Sequence, residues 1–361
     1  MITRKPFNWQ LPDREITPKN RFMNRREIMR AGGALGVLGL AGCGVGESAA
    51  AHTELPDVAG MGYRETSYTV DDPSTPLEAV TGYNNFYEFG TSKSDPARYA
   101  HAMSTDPWFI EVEGHAAQTG RYALADMIDY SALEERVYRL RCVEAWSMVI
   151  PWVGVPLADV LRQFEPTEDA RYVQFISNSN PAEMRGVRSR VLDWPYKEGL
   201  RMDEAMNELA FLAVGLYGET LPNQNGAPIR LVVPWKYGYK SAKSIVKIKF
   251  VSEEPVTSWK QSAPREYGFY SNVNPNRSHP RWSQASERVI GGGVFARRET
   301  DMFNGYSEQV AHMYDGMDLI ENHCWRNQRC CGPSGGSGLN PSPFGRWRHR
   351  RCGWGGNGLL C

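Results

Sequence analysis

Arg139-Leu140-Arg141-Cys142-Val143-Glu144-Ala145-Trp146-Ser147-Met148-Val149-Ile150-Pro151-Trp152 is the stretch on which the reading of this chain turns. It carries the one cysteine between Cys43 and Cys324, set among arginines and followed by an aromatic-rich apolar run. A thiolate is a soft donor, suited to a transition metal or to nucleophilic attack. Arg139 and Arg141 are expected to lower the pKa of Cys142 by favouring the anion. The alternative is a buried, inert cysteine, the commoner fate of a lone thiol. Which reading holds depends on whether other features converge on Cys142.

Upstream, the twin arginine Arg25-Arg26 precedes a glycine-rich, mildly hydrophobic run from Ala31 to Val45. The run is too short and too glycine-rich for a membrane span, and glycine on every face rules out an amphipathic helix. Residues 1–51 are therefore read as a twin-arginine signal peptide, kept apart from the fold. That machinery exports proteins already folded, often with a cofactor inserted, so a periplasmic, cofactor-bearing protein is expected. Cleavage is placed near residue 51, after Ser48-Ala49-Ala50-Ala51. A second option is the lipoprotein-like Leu40-Ala41-Gly42-Cys43, which would leave Cys43 lipidated as a membrane anchor.

The 361 residues carry 41 Lys plus Arg against 41 Asp plus Glu, so no basic excess argues for a nucleic-acid partner. With 11 Trp and 17 Tyr there is ample material for a core, and frequent Pro and Gly favour loops and strands over a helical bundle.

Downstream of the signal, Thr81-Gly82-Tyr83-Asn84-Asn85-Phe86-Tyr87-Glu88-Phe89-Gly90 reads as an ordered loop of amides and aromatics, a composition suited to holding a ligand. Trp108–Gly114 and Arg171–Ser177 alternate as half-buried strands. Ala125–Tyr130 and Pro156–Leu161 are predicted short helices, the second opening on Pro156. Asp203–Gly218 has helical spacing, with Leu209, Leu212, Ala213 and Leu216 as the core face. Asn225-Gly226 marks a turn before a strand that begins near Ile229 and has Arg230 at its mouth. The loop Lys236–Ser244 then feeds the alternating strand Ile245–Phe250. The backbone N–H groups of Ser241 and Ala242, with Arg230 and Lys243, are suited to a phosphate. Lys247 and Lys249 are read as guarding a sheet edge. Glu266–Arg298 is expected to form either a second strand-rich lobe or a long packed arm. The sequence holds no Walker loop, no His-Glu-x-x-His and no Gly-x-Ser-x-Gly, and its body histidines lack metal-ligand spacing.

Gly82–Gly90, Arg141–Met148, Gln224-Asn225-Gly226-Ala227-Pro228 and Val233-Pro234-Trp235-Lys236-Tyr237-Gly238 together resemble the catalytic subunits of periplasmic protein-methionine-sulfoxide reductases. These are molybdopterin enzymes of the sulfite-oxidase fold superfamily. The resemblance runs from about residue 20 to about Leu319. It implies an α+β, sulfite-oxidase-like molybdopterin-binding fold over residues 52–319, with mixed β-sheets, surrounding helices and long loops. It implies one Mo-molybdopterin per subunit, with Cys142 as the molybdenum ligand. Asn84, Tyr87, Glu88, Asn225, Arg230, Ser241, Ala242 and Lys243 would contact the pterin group, and so would Ser177, which stands where the family usually has Thr.

The implied reaction moves oxygen from a methionine sulfoxide S=O to reduced molybdenum, repairing oxidised exported proteins. Electrons would come from the quinone pool through a haem-containing membrane subunit, since this body has no haem or iron–sulfur motif of its own. From residue 320 to 361 the chain departs from the family. It is rich in Cys, Gly and Arg, its spacings match no zinc pattern, and it is expected to be disordered and dispensable.

Overall fold

The computed structural model describes residues 54–293 and 295–320; the signal segment 1–51 with Cys43, and the tail from 321 onward, lie outside the described residues. In chain order the strands begin with β1 (Arg64–Glu65), β2 (Phe109–Gly114), β3 (Gly120–Ala123), β4 (Glu134–Cys142), β5 (Trp146–Pro156) and β6 (Tyr172–Ser177). They continue with β7 (Lys197–Arg201), β8 (Phe211–Leu216), β9 (Glu219–Thr220), β10 (Arg230–Val232), β11 (Ile245–Val251), β12 (Ser286–Val289) and β13 (Arg297–Glu299). Short helices and long loops join them, the α+β arrangement expected.

The larger sheet has eight strands, ordered β1-β4-β5-β12-β13, with β8 branching from β5 and carrying β9 and β10. The smaller has five, ordered β3-β2-β11-β6-β7. Both are mixed: β1/β4, β5/β12 and β2/β11 run parallel, the other pairs antiparallel.

β5 is the spine. Its first ten residues are all buried, the continuous apolar run of a strand covered on both faces. One edge takes β4 from Trp146 to Gly154. The other edge is divided, with β12 on Trp146 and Ser147 and β8 on Trp152 to Pro156. The stretch Glu266–Arg298 is thus neither a second lobe nor an arm, because its strands β12 and β13 complete the large sheet.

Two further readings are corrected. The expected helix over Asp203–Gly218 is a single turn, Met202–Ala205, followed by strand β8, every residue of which is buried. A continuous apolar run satisfies helical spacing and a fully buried strand alike, and here sheet pairing decides. Leu209, Leu212, Ala213 and Leu216 do lie in the core. Lys247 and Lys249 do not guard an edge, since β11 is the middle strand of its sheet. They stand on its outer face, where Lys247 Nζ lies 2.9 Å from Glu111 and 2.6 Å from Glu113 of β2. The smaller predicted helices are found at Leu124–Met127 and Leu157–Arg162, with Pro156 capping the second rather than entering it.

Candidate active site

Cys142 is the last residue of β4, and Val143, Glu144 and Ala145 turn the chain into β5. Ala145 N–H donates to the Cys142 carbonyl at 3.1 Å, with Ala145 at φ +61°. A non-glycine residue there costs about 1–2 kcal/mol, so the turn must be held by its surroundings. Trp282 Nε1 and Gln284 Nε2 both donate to the Val143 carbonyl, at 2.7 and 2.6 Å. Arg288 N–H donates to the Ala145 carbonyl at 2.9 Å. Arg141, fully buried, donates to the Cys142 carbonyl, to Glu287 at 2.6 Å, to Gln284 Oε1 at 2.8 Å and to Thr300 Oγ1 at 3.2 Å. The segment 282–300, which contains β12 and β13, is therefore the clamp of the cysteine turn.

Arg141 does pull the Cys142 pKa down as expected, but burial outweighs it, and the clamp ties both arginines to carboxylates. Arg141 is committed to Glu287, and Arg139 to Asp72 at 2.6 Å and Asp301 at 3.2 Å. Burial instead pushes the Cys142 thiol up to about 12, with the Glu144 carboxylate adding to the shift. Ligation by a metal ion removes such a proton outright.

Cys142 opens onto a cavity of about 980 Å³ counted out to its solvent mouth, whose walls include Asn84, Tyr87, Glu88, Asn225, Arg230 and Lys243. The helix Leu77–Gly82 leads into the turn-rich segment that presents the first three. Asn225 ends a short 3₁₀ turn, and Gly226 follows at φ +104°, where a Cβ would lie 2.8 Å from Lys243 Cβ. Glycine thus brings the Asn225 turn against Lys243. Asn225 Nδ2 donates to the Val80 carbonyl at 3.0 Å and to Asn84 Oδ1 at 3.3 Å, while its own Oδ1 is buried without a hydrogen-bond partner.

Arg230 Nη1 donates to the Asn225 carbonyl at 2.9 Å and its guanidinium lies 4.7 Å from the Trp152 ring centre. Burial holds its pKa down to about 9. Burial and then Arg230 repulsion bring Lys243 down to about 7, opposed by Glu88; burial lifts Glu88 to about 7, opposed by Lys243. With Glu144 paired to Lys93, the buried Arg230 and half-buried Lys243 face one remaining carboxyl, the buried Glu88. A surplus of this kind is stabilised by an anion arriving in the cavity.

Three expected contacts stand apart, for Ser177, Ser241 and Ala242 are not among the residues lining the cavity. Ser177 Oγ is buried and unpartnered at the end of β6. The Ser241 N–H is not free for a phosphate, because it donates to the Gly238 carbonyl at 3.2 Å, and Ser241 Oγ accepts from Val233 N–H at 3.2 Å. The N–H groups of Ala242 and Lys243 make no hydrogen bond among the described residues.

Beyond Cys142 the cavity is aromatic, a half that the sequence reading missed. Trp259 packs on Tyr267 at 4.8 Å between ring centres, Tyr239 on Tyr267 at 5.3 Å and Tyr87 on Trp259 at 5.6 Å. Asn85, Lys93 and Glu144 were missed as well. Asn85 Nδ2 and Glu144 N–H each lie 3.5 Å from Cys142 Sγ. Glu144 is pushed up by burial, but hydrogen bonds from Lys93, Trp146 and Asn85 outweigh this and hold its carboxyl below the ordinary range. Asn85 sat in plain view in the amide-rich loop. The aromatic residues carry no local signal, since segments far apart in the chain bring them together.

Among the described residues no three His, Cys, Asp or Glu side chains gather to hold a metal ion. A metal at Cys142 would need its other ligands from a cofactor. The residues present fit a molybdenum–pterin group: a lone soft thiol, an orphaned amide oxygen at Asn225 and a cationic surplus at Arg230 and Lys243 for an anionic tail.

Comparison with known proteins agrees. Residues 97–259 match the family described as oxidoreductase molybdopterin binding domain. The protein-methionine-sulfoxide reductase catalytic subunit MsrP of Burkholderia mallei is 54% identical over 312 residues, covering 86% of this chain and 94% of that protein. Its counterpart from Ralstonia nicotianae is 55% identical over 319 residues, covering 86% and 95%. The counterpart from Pseudomonas syringae pv. tomato is 48% identical over 337 residues, covering 90% and 100%. Among solved structures, the sulfane dehydrogenase SoxCD from Paracoccus pantotrophus aligns over 65% of this chain and 61% of its own, at 14% identity and a TM-score of 0.41. The match agrees with the molybdopterin-binding fold that the sequence motifs imply. The chain belongs to the family of protein-methionine-sulfoxide reductase catalytic subunits, oxidoreductases built on a molybdopterin-binding domain.

Proposed function

We propose that this chain is the catalytic subunit of a periplasmic repair system that reduces methionine sulfoxide in exported proteins, holding one molybdenum–pterin group per subunit. The observation that carries the reading is Cys142, a lone thiol in the wall of a cavity that it shares with Arg230, Lys243, side-chain amides and a cluster of aromatic rings. When bound, the cofactor supplies two-electron oxygen-atom transfer, a sulfoxide with two electrons and two protons giving a thioether and water.

The chain's own residues divide the remaining work. Cys142 ligates the metal from a turn clamped by Arg141, Trp282 and Gln284. Arg230 and Lys243 neutralise the cofactor's phosphate, and Asn84, Tyr87, Glu88 and Asn225 orient its pterin. The rings of Trp259 and Tyr267 receive the methyl–sulfur end of the substrate, since thioether sulfur packs well on aromatic rings. Their bulk also keeps water from the reacting sulfur. Twin-arginine export of the folded, loaded protein and reduction by a haem-containing membrane partner fed from the quinone pool complete the proposal. The supports for these are the Arg25-Arg26 segment and the lack of any electron-carrying motif in the body.

The test is a turnover comparison with reduced holoenzyme given an oxidised protein, free small sulfoxides, and sulfite with an artificial acceptor. Reduction of the oxidised protein is expected to lead. Sulfite oxidation greatly exceeding sulfoxide reduction would sink the reading. Membranes containing the haem partner should sustain turnover from quinol, and membranes lacking it should not.

A further inference from the structure

Asn85 can present either end of its amide to Cys142, because its oxygen and nitrogen are nearly the same size. The surrounding groups select one end. Lys93 Nζ, which can only donate, lies 2.6 Å from Asn85 Oδ1. The amino end is thereby turned to Cys142 Sγ at 3.5 Å and to Glu144 Oε2 at 3.1 Å. Lys93 Nζ also lies 2.8 Å from Glu144 Oε2, and Trp146 Nε1 donates to that same oxygen at 3.0 Å. The lysine is therefore the common anchor of both groups beside the sulfur. Its own place is fixed by the backbone, the Lys93 carbonyl accepting from Asn84 N–H at 2.9 Å. Its side chain is three-quarters buried, so the contact is not that of a waving surface lysine.

We propose that Lys93 is a positioning residue that aims the Asn85 amino group at the sulfur of Cys142, and so sets the electron donation of that sulfur to the metal. The inference rests on Cys142 being the metal's protein ligand. An N–H donor on a ligating thiolate draws charge from the sulfur and favours the reduced metal. Without Lys93, Asn85 Oδ1 and the Glu144 carboxylate both lose their cationic partner. The amide is then held only through its amino end, by Glu144 Oε2, and its donation to the sulfur weakens, leaving Glu144 N–H as the sulfur's steadier donor.

The experiment uses holoenzyme of wild type, Lys93→Met, Asn85→Ala and the double variant, with molybdenum content and the metal's reduction potential from an EPR-monitored titration. Lys93→Met is expected to keep its molybdenum, to lower the potential and to reduce kcat about 10-fold, the usual scale for a ligand's supporting partner. In the Asn85→Ala background Lys93→Met should shift the potential no further. An undiminished shift in that background would mean that Lys93 acts as a bare charge, and would overturn the inference; so would an unchanged potential in Lys93→Met. If Lys93→Met does not load metal, Lys93→Gln decides, because it keeps a donor toward Asn85 without the charge. A potential near wild type then supports the inference, and one that falls overturns it. Wild-type protein that binds no molybdenum, or Cys142→Ala that binds as much, defeats the reading of the site before Lys93 enters.

Discussion

Buried cations in this molecule fall into two groups. Arg141, Lys236 and Lys240 each lie 2.6 Å from a buried carboxylate, those of Glu287, Glu204 and Glu198 respectively. Lys236 also donates to the Tyr270 carbonyl at 2.8 Å and to Asn272 Oδ1 at 2.9 Å, and Tyr314 donates to Glu204 at 2.6 Å. Among the described residues Arg230 meets backbone carbonyls and a ring face, and Lys243 is opposed by Glu88, the cavity's other carboxylate, Glu144, being paired with Lys93. The same residue types thus do two jobs. A buried cation with a carboxylate partner holds the fold, whereas one without such a partner marks where an anionic ligand belongs. The clearest case is Arg141 against Arg230. Both are buried, but the first clamps the cysteine turn and the second faces the cavity.

The largest expected effect sets the floor for that comparison. Cys142→Ala should reduce bound molybdenum to background and sulfoxide reduction with it, while the thermal unfolding of cofactor-free protein stays near wild type. The thiol is small, donates to nothing and holds no strand. Metal analysis beside calorimetry checks this, and retained metal would break the assignment.

Next come the two arginines, which should separate stability from loading. Arg141→Met takes from buried Glu287 its buried cation, leaving it Arg298 at 3.5 Å and Thr300 Oγ1 at 2.7 Å, and should cost about 3 kcal/mol in denaturant unfolding. Arg230→Met strands no carboxylate, so cofactor-free stability should hold or rise, while molybdenum content and activity fall sharply. If both variants lost stability equally, the distinction between the two groups would be wrong.

A smaller effect follows from the titration of the Glu88–Lys243 pair in cofactor-free protein. Glu88 has its folded pKa raised, to about 7 from 4.5, so its contribution is fully present below 4.5 and is lost as pH rises through 7. Lys243 has its folded pKa lowered, to about 7 from 10.5, so its contribution is present above 10.5 and is lost as pH falls through 7. The pair therefore places a stability minimum near neutrality, on the order of 2 kcal/mol deep. Chemical denaturation across pH 4 to 11 should show that dip in wild type and its loss in Glu88→Gln/Lys243→Met. A pH-independent difference between the two proteins would refute it.

Much of the cavity lining was legible in the sequence. Cys142, Asn84, Glu88, Asn225, Arg230 and Lys243 lie in short motifs; local chemistry nominates Cys142, Arg230 and Lys243, and the family resemblance of those motifs adds Asn84, Glu88 and Asn225. The fold-holding group was not legible. Local sequence shows Arg141 only as an acidifying neighbour of Cys142, an influence it has, and hides its clamp role because Glu287, Gln284 and Thr300 lie about 140 to 160 residues downstream. The misreading of β8 has the same origin. Its apolar run is compatible with helix or strand until the pairing with β5 and β10 is known. Ser241 failed at finer scale, since a 3₁₀ turn consumes the N–H that its loop composition offered. The aromatic wall drew on segments 87, 239, 259 and 267, which no spacing links.

The smallest effect tests the boundary of the comparison from the outside. Lys247 has two carboxylate partners, Glu111 and Glu113, as close as those of the buried cations, yet its side chain is 27% exposed and Glu111's is 52%. If partner count alone made a cation structural, Lys247 would matter as much as Arg141. Exposure argues otherwise, because water already solvates the separated charges and the long side chain must be ordered to make the contacts. Lys247→Met should therefore cost about 0.5 kcal/mol in denaturant unfolding, diminish further at high salt and leave molybdenum content unchanged. β11 itself should be untouched, since its pairing with β2 and β6 is backbone-borne and its buried residues Ile245, Ile248 and Phe250 are on the other face. A loss of several kcal/mol would show that burial is not what separates the fold-holding cations from the rest.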